Sequence, residues 1–207
     1  MDGKDLSSHI CRSLDTLVAS ADELRDLDQA LGDGDLGITV TAGSRAVIAE
    51  LQKLPEDATP TDLARTCAKA FASANPSTMA ALVAGALLAG SRVWEGRTEI
   101  GLTEAAAFAD AAAGSIAQRG KTTVGDKTIL DGLAAAAEAL GAAEEPAQAT
   151  AAAVDAASRA VEDTKGLQSR RGRASWLQER SIGLADPGAT AFLRFLQAWA
   201  TVGEPAR

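Results

Sequence analysis

Three aspartates that lie within eight residues form the stretch of this sequence best suited to chemistry. Asp28 is followed by Asp33 and Asp35, and the glycines among them let the backbone turn tightly. Carboxylates held close together raise one another's pKa unless a positive charge compensates them. The spacing therefore predicts a site for a bound cation.

Oxygen ligands of this kind favour Mg²⁺ or Ca²⁺ over zinc. A calcium loop of the EF-hand type would end in a bidentate Glu, and no Glu follows at that spacing. Mg²⁺ is therefore the predicted ion. Because proteins usually bind it together with substrate phosphates, a nucleotide or other phosphate ester is its predicted companion. The alternative is a surface turn in which Asp33 or Asp35 only caps the next helix.

Length, charge and cysteine content restrict the class of protein. The 207 residues suit one domain, over residues 1–207, and the net charge of -8 gives no electrostatic support for binding nucleic acid. Two cysteines are too few for a disulfide framework and favour a reducing compartment. The N-terminus lacks a signal-peptide pattern, and no apolar run is long enough to span a membrane. We expect a cytoplasmic protein without membrane contact.

The apolar periodicity is helical almost throughout, which predicts an all-α fold. Asp28 should lie on the last turn of the second helix and Asp35 just before the third, where free N–H groups favour an anion. The first predicted helix has an apolar stripe over 6–18, the second is short and starts with a Ser20–Glu23 capping box, and the third buries Val40 to Leu51. The fourth covers 63–71 and is ended by Ser73 to Thr78, the fifth covers 82–93, and the sixth runs from a Thr103 cap to Ile116. The seventh covers 127–140, the eighth covers 146–164, and the last begins at Asp186-Pro187.

The only histidine, His9, lies in the first helix, where we expect it at the surface. It is far in sequence from both candidate sites, so no Ser-His-Asp triad can be built there. A phosphate-binding P-loop motif is also missing. Nucleotide binding would therefore need another kind of phosphate site.

The stretch from Lys165 to Gly183 concentrates positive charge in an acidic protein and contains Trp176. An arginine fork there could hold phosphate oxygens while the carboxylates hold Mg²⁺. The alternative is a solvated loop whose cations pair with surface Glu residues. Its basic residues are Lys165, Arg170, Arg171, Arg173 and Arg180.

Taken together, four stretches resemble the DhaL subunit of dihydroxyacetone kinases, the nucleotide-binding half of a two-subunit enzyme. They are Asp28–Gly37, Gly120–Asp131, Arg173–Gly183 and Asp186–Ala189. The match spans nearly the whole chain, and the combination is specific although each motif alone is weak. It makes the interpretation of the aspartates as a mere turn much less favourable.

The resemblance implies a closed barrel of about eight amphipathic antiparallel helices with the nucleotide, ADP or ATP, at one end. It implies that Asp28, Asp33 and Asp35 bind two Mg²⁺ ions that bridge the phosphates, and that Arg173 takes part in catalysis. The residues that would contact the nucleotide are Leu36, Gly37, Ile38, Thr39, Asn75, Ser77, Thr78, Gly120, Ile129, Arg173, Asp186, Pro187 and Gly188.

In this family the phosphoryl group goes to a short ketose that a DhaK-type partner subunit holds covalently through its own histidine. The lack of a suitable histidine here agrees with that division. The resemblance leaves open whether ATP is the donor or whether bound ADP is rephosphorylated by a phosphotransferase-system protein, and whether the chain forms a homodimer. We expect Trp176 and the neighbouring arginines to form a lid or a docking edge.

The chain departs from the family pattern at two places. Leu36 stands where the family often has His, and Ala74 to Thr78 replaces a glycine-rich segment, with Pro76 removing a backbone donor. Two alternative functions remain. One is the nucleotide-binding part of a fatty acid kinase, and the other is a regulatory module that binds ADP and a transcription factor.

Overall fold

The computed structural model describes residues 1–203, which contain no β-strand and one isolated bridge between Asp2 and Glu99. The all-α prediction is confirmed. Over these residues the elements are α1 (Gly3–Val18), α2 (Ala21–Leu31), α3 (Leu36–Leu51), α4 (Pro60–Ala74), α5 (Thr78–Val93), α6 (Leu102–Gly120), α7 (Ile129–Ala142), α8 (Pro146–Lys165), a 3₁₀ segment (Arg173–Ser181) and α9 (Pro187–Gly203).

Several helices begin where a side chain accepts one of the first free backbone N–H groups. Thr59 and Asp62 form a capping box at α4, and Thr128 and Asp131 form one at α7. The box at Thr128 explains why α7 begins at Ile129 and not at the predicted residue 127. The first turn of a helix is thus fixed by local sequence.

Two predicted caps are wrong. Ser20 makes no side-chain capping bond, and its ψ of 2° is not the extended conformation typical of an N-cap residue. Glu23, its expected partner, instead accepts two hydrogen bonds from Arg194 of α9 at 2.6 and 2.7 Å. The sixth helix is not capped by Thr103. Its N-cap is Gly101, two residues earlier, and the side chain of Glu104 accepts the N–H of Gly101 at 3.0 Å.

Eight of the helices form a closed ring within the described residues. From α3 to α9, each helix packs on the next one along the chain. The ring is closed by α1, which packs on α9 on one side and on α3 on the other. The short α2 packs on α3 and α9. Two apolar clusters fill one half of the ring around α6 to α9, and a larger one fills the half around α1, α3 and α4.

The helices alternate in direction around the ring. Met1 and Ile100 exchange backbone hydrogen bonds, at 3.0 Å and 2.9 Å, and Gly3 lies against the carbonyl of Ala58, so α1, α4 and α6 start at one end. The starts of α3, α5, α7 and α9 lie at the other end, together with the loop between α2 and α3. That end carries most of the predicted site residues.

His9 is not the surface residue that we expected. Its ring is half-buried at 4.1 Å from the ring of Trp199, and its Nε2 lies 3.0 Å from the carbonyl oxygen of Trp199. Burial is the main reason why its pKa lies below the ordinary value. Among the described residues, no helix has the length and apolar character needed to cross a membrane.

Candidate functional site

The three aspartates meet at the turn between α2 and α3. Asp28 lies in the last turn of α2, Asp35 immediately precedes α3, and Asp33 lies between them in a loop that Gly34 bends through a φ of +75°. One carboxylate oxygen from each of the three lies within 4.8 Å of the others. The sequence prediction that these side chains converge is confirmed by the geometry.

A capping role does not account for this cluster. Asp35 makes no side-chain hydrogen bond to the first turn of α3. The N–H of Leu36 is instead satisfied by Asp28 Oδ2 at 3.1 Å, across eight residues of sequence. Asp33 and Asp35 are therefore not consumed by capping, and their oxygens remain available as ligands.

Arg173 reaches the cluster from the 3₁₀ segment and forms an ion pair with Asp33. Other cations of the same stretch pair with other carboxylates. Arg171 Nε lies 3.1 Å from Asp126 Oδ2, and Lys165 pairs with Glu162 at 2.6 Å. Of the predicted arginine fork, the structure thus brings Arg173 alone to the carboxylates.

The starts of four helices lie at the same end of the ring as the cluster. Asn75 Nδ2 donates to Thr39 Oγ1 at 2.7 Å, which joins the corner before α5 to the first turn of α3. At α9, a Cβ on Gly188 would lie 2.9 Å from Met79 Cε of α5 and 3.4 Å from Ile129 Cβ of α7. The positive ends of these helix dipoles therefore lie at one end of the ring, which favours an anion such as a phosphate.

The remaining predicted nucleotide contacts lie at this same end. Ile38 is exposed at 64% and Thr39 is buried, both in the first turn of α3. Ser77 caps α5 by accepting the N–H of Ala80 at 3.1 Å, directly before Thr78. Gly120 ends α6 beside Leu82 of α5. The structure gathers the predicted residues at one end of the ring.

Gly37 has a structural reason to be glycine. A Cβ at this position would lie 2.3 Å from the carbonyl oxygen of Ala21, so α2 and α3 could not approach as closely with any other residue. The glycine thereby sets the position of the loop that carries Asp33 and Asp35.

Asp186 is buried at the start of α9, where its Oδ2 accepts the N–H of Ala189 at 2.7 Å. Burial raises its pKa to about 7, and the nearby carboxylate of Asp131 adds to this, while the Ala189 N–H and the Lys127 ammonium act in the opposite direction. Asp186, Pro187 and Gly188 thus form a rigid helix start, with Pro187 as the first helical residue.

The sequence interpretation missed Asp126 and Lys127, which are both buried in the loop before α7. Burial alone would raise the pKa of Asp126, but hydrogen bonds from the Thr123 N–H and from Arg171 outweigh it and hold the pKa below the ordinary value. The sequence does contain a signal for Lys127: the capping pattern of Thr128 with Asp131 indicates that the helix begins after Thr128 and that Lys127 lies in the preceding loop.

The donor set of the cluster fits Mg²⁺. It consists of hard carboxylate oxygens that lie within 4.8 Å of one another, and it is partly open to solvent. Few carboxylates and adjacent helix N-termini are the arrangement in which Mg²⁺ shares its coordination with a phosphate ester.

A family model described as the DAK2 domain matches residues 30–201. This chain belongs to that family. The ADP-binding subunit DhaL of the PEP-dependent dihydroxyacetone kinase of Escherichia coli is 31% identical over 91% of this chain and 91% of the relative. The triokinase/FMN cyclase of Bos taurus is 32% identical over 88% of this chain.

The fold of the DAK2 domain is also found in a solved structure. The dihydroxyacetone kinase of C. freundii in complex with AMP-PNP and Mg²⁺ matches 94% of this chain with a TM-score of 0.74 and 24% identity, and the match covers 33% of that protein. The chain likewise spans only 32% of the Bos taurus triokinase. The assignment of residues 1–207 to a single domain stays a prediction.

Proposed function

We propose that this chain binds a magnesium nucleotide and presents it for phosphoryl transfer to a short ketose carried by a DhaK-type partner. The observation that carries the proposal is the meeting of three carboxylates with Arg173 at the end of the ring where α3, α5, α7 and α9 begin. Asp28, Asp33 and Asp35 would hold the metal, which supplies charge neutralisation to the phosphates.

Phosphoryl transfer depends mainly on the positioning of the phosphates and on stabilisation of their charge. In this chain, the helix starts would receive phosphate oxygens, and Arg173, which pairs with Asp33, would donate to phosphate oxygens beside the metal. The apolar side chains of Met79 and Ile129 beside Gly188 would form a slot for the base. The arrangement needs no nucleophile of its own.

The names of the relatives support the rest of the proposal. The Escherichia coli relative is an ADP-binding subunit of a PEP-dependent enzyme, and a relative in Mycolicibacterium smegmatis is an L-erythrulose 1-kinase. We infer a short ketose as acceptor and a second polypeptide or domain as its carrier. His9 packs on Trp199 near the far end of α9, so the covalent capture of a ketose falls to the partner.

The free cysteines Cys11 and Cys67 are consistent with a reducing cytoplasm, which is the compartment that we propose. Burial raises the pKa of Cys67 to about 12, so its thiol is unreactive. Two bound magnesium ions, as the resemblance implies, are part of the proposal.

Calorimetric titration of the chain with ADP at saturating Mg²⁺ tests the proposal. We expect Asp33→Asn to lose at least about tenfold in affinity, since a metal ligand loses its charge, while helix content stays unchanged. Asp26→Asn is the matched control, because it removes the same charge from α2 outside the cluster. Equal affinities of the two variants, or binding that does not depend on Mg²⁺, would contradict the proposal.

A second measurement addresses the partner. The purified chain with ATP and free dihydroxyacetone should give no turnover, because nothing in the chain holds the ketose. Turnover should appear when a ketose-loaded DhaK-type subunit is added to the chain with ATP. If a phosphotransferase-system protein is the donor, turnover should instead require ADP and the phosphorylated form of that protein. Turnover by the chain alone would refute the division of labour.

A further inference from the structure

The loop of residues 166–183, which carries Arg173, is closed at its base. The N–H of Gly183 donates to the carbonyl of Lys165 at 2.8 Å, so the two ends of the loop meet. Within it, Ser181 Oγ accepts the N–H of Ser169 at 2.9 Å and donates to the carbonyl of Gln178 at 2.6 Å. The loop is therefore held by specific bonds, although most of its side chains are exposed.

The centre of this closure is the ammonium group of Lys127, which comes from another part of the chain. Lys127 is exposed by only 1%. Its Nζ donates to the carbonyl oxygens of Ser181 at 2.7 Å, Leu167 at 2.9 Å and Lys165 at 3.3 Å. These three bonds use all three donors of an ammonium group, and they join the chain at the start of the loop, at Lys165 and Leu167, to Ser181 near its end.

Lys127 has an unusual backbone conformation. Its φ is +62°, a left-handed conformation that residues with a side chain seldom adopt. The conformation ends the loop before α7 and turns the side chain inward instead of letting the helix begin there. Asp186 influences Lys127 electrostatically but does not form an ion pair with it. A buried ammonium in that position is costly unless each of its donors is satisfied, and the three carbonyls satisfy them.

A second contact joins the same two segments. The carboxylate of Asp126 lies 3.1 Å from Arg171 Nε, and its backbone carbonyl accepts the N–H of Arg170 at 3.0 Å. Arg173, two residues beyond, forms the ion pair with Asp33. The loop therefore runs directly from its anchor at residues 126–127 to the acidic cluster.

We infer that Lys127 is a positioning residue, which keeps the loop of residues 166–183 closed so that Arg173 stays at the acidic cluster. Lys127 itself bonds to the loop backbone and acts on the site only through Arg173. The expected effect of Lys127 on nucleotide affinity rests on the proposed function. The part that concerns the loop stands on the contacts alone.

The test compares Lys127→Met with Lys121→Met, an exposed lysine of the same loop before α7. Met keeps the length of the apolar stem and removes the three donors. The four arginines of the loop make trypsin a direct probe of its opening, with the cut sites identified by mass. We expect cleavage within residues 166–183 to accelerate by at least about tenfold in Lys127→Met and to stay at the wild-type rate in Lys121→Met.

The link to Arg173 is measured by a double-mutant cycle with Arg173→Ala on the affinity for ADP with Mg²⁺. If Lys127 acts through Arg173, each single variant loses affinity by a similar factor and the double variant is no weaker than either one. A merely structural role of Lys127 would make the two losses multiply, which would overturn the inference. Wild-type cleavage rates in Lys127→Met would also overturn it.

A second variant covers the case in which Lys127→Met fails to fold. Ser181→Ala removes the two hydroxyl bonds inside the loop and leaves α7 intact, and it should likewise accelerate cleavage and weaken ADP binding. If the wild-type chain binds no magnesium nucleotide, the proposed function fails. The cleavage rates of the variants then still decide whether Lys127 closes the loop.

Discussion

The carboxylate of Asp28 at the end of α2 accepts the backbone N–H of Leu36 at the start of α3, at 3.1 Å. One residue thus contributes both to the proposed metal site and to the turn that builds it. The side chain of Leu36 is exposed by only 5% and packs in the core, so this position meets Asp28 through its backbone. A change of the side chain at this position therefore leaves that contact intact.

This double role predicts different outcomes for two substitutions of Asp28. Asp28→Asn keeps an oxygen acceptor for Leu36 and should change the free energy of unfolding by less than about 1 kcal/mol, whereas Asp28→Ala removes the acceptor and should cost about 1–2 kcal/mol. Both should lose Mg²⁺-dependent ADP binding. Urea unfolding and calorimetric titration measure the two effects, and equal stabilities of Asn and Ala would show that the bond to Leu36 contributes nothing.

Gly37 gives a stability prediction with an internal control. Gly37→Ala places a Cβ against the Ala21 carbonyl, at a separation of 2.3 Å if nothing moves, and should destabilise the chain by about 1–3 kcal/mol. Gly114→Ala in α6 meets no atom within 4 Å and should stabilise by about 0.5–1 kcal/mol through helix propensity. Thermal unfolding of both variants checks this, and a neutral Gly37→Ala would mean that α2 can shift freely.

The fold could be predicted from the sequence because helix periodicity and local caps are short-range properties. The convergence of Asp28, Asp33 and Asp35 followed from glycine spacing in one turn. The contacts of Arg171 with Asp126 and of Lys127 with three carbonyls could not be predicted, since they join segments about 40 or more residues apart. The Ser20–Glu23 capping box failed for the same reason, because distant Arg194 competes for Glu23.

Trp176 is the most exposed large apolar side chain of the loop, at 80%, on a backbone that Lys127 holds in place. A large apolar side chain held in solvent beside a site suits a contact with the ketose-carrying partner. We expect Trp176→Ala to keep its affinity for ADP with Mg²⁺ within about twofold, and to raise the KM for the partner subunit at least about fivefold.

Leu88→Ala is the control for Trp176, since it removes an exposed apolar side chain from α5, at 41% exposure, and should change neither quantity. Steady-state kinetics at varied partner concentration separates the two effects. A loss of ADP affinity in Trp176→Ala would identify Trp176 as a lid over the nucleotide, in place of a docking edge.

Asp186 should give the chain an unusual dependence of stability on pH. Its folded pKa of about 7 lies above the ordinary value of 3.8, so between these two values the folded chain binds a proton that the unfolded chain releases. Unfolding then releases a proton, and the free energy of unfolding falls as pH rises, by up to about 1.4 kcal/mol per pH unit. The contribution is fully present below pH 3.8 and is lost as pH rises through about 7.

Asp186→Asn isolates this contribution, because Asn keeps an oxygen for the N–H of Ala189 and cannot ionise. Above pH 7 the ionised Asp186 is repelled by Asp131 and attracted by Lys127, and burial dominates both. We therefore expect the free energy of unfolding of Asp186→Asn to depend less on pH in this range. The free energy of unfolding of the wild type minus that of the variant should decline from pH 5 to pH 8 and level off above. Urea unfolding at intervals over this range measures the difference, and two parallel curves would show that Asp186 is already ionised at pH 5.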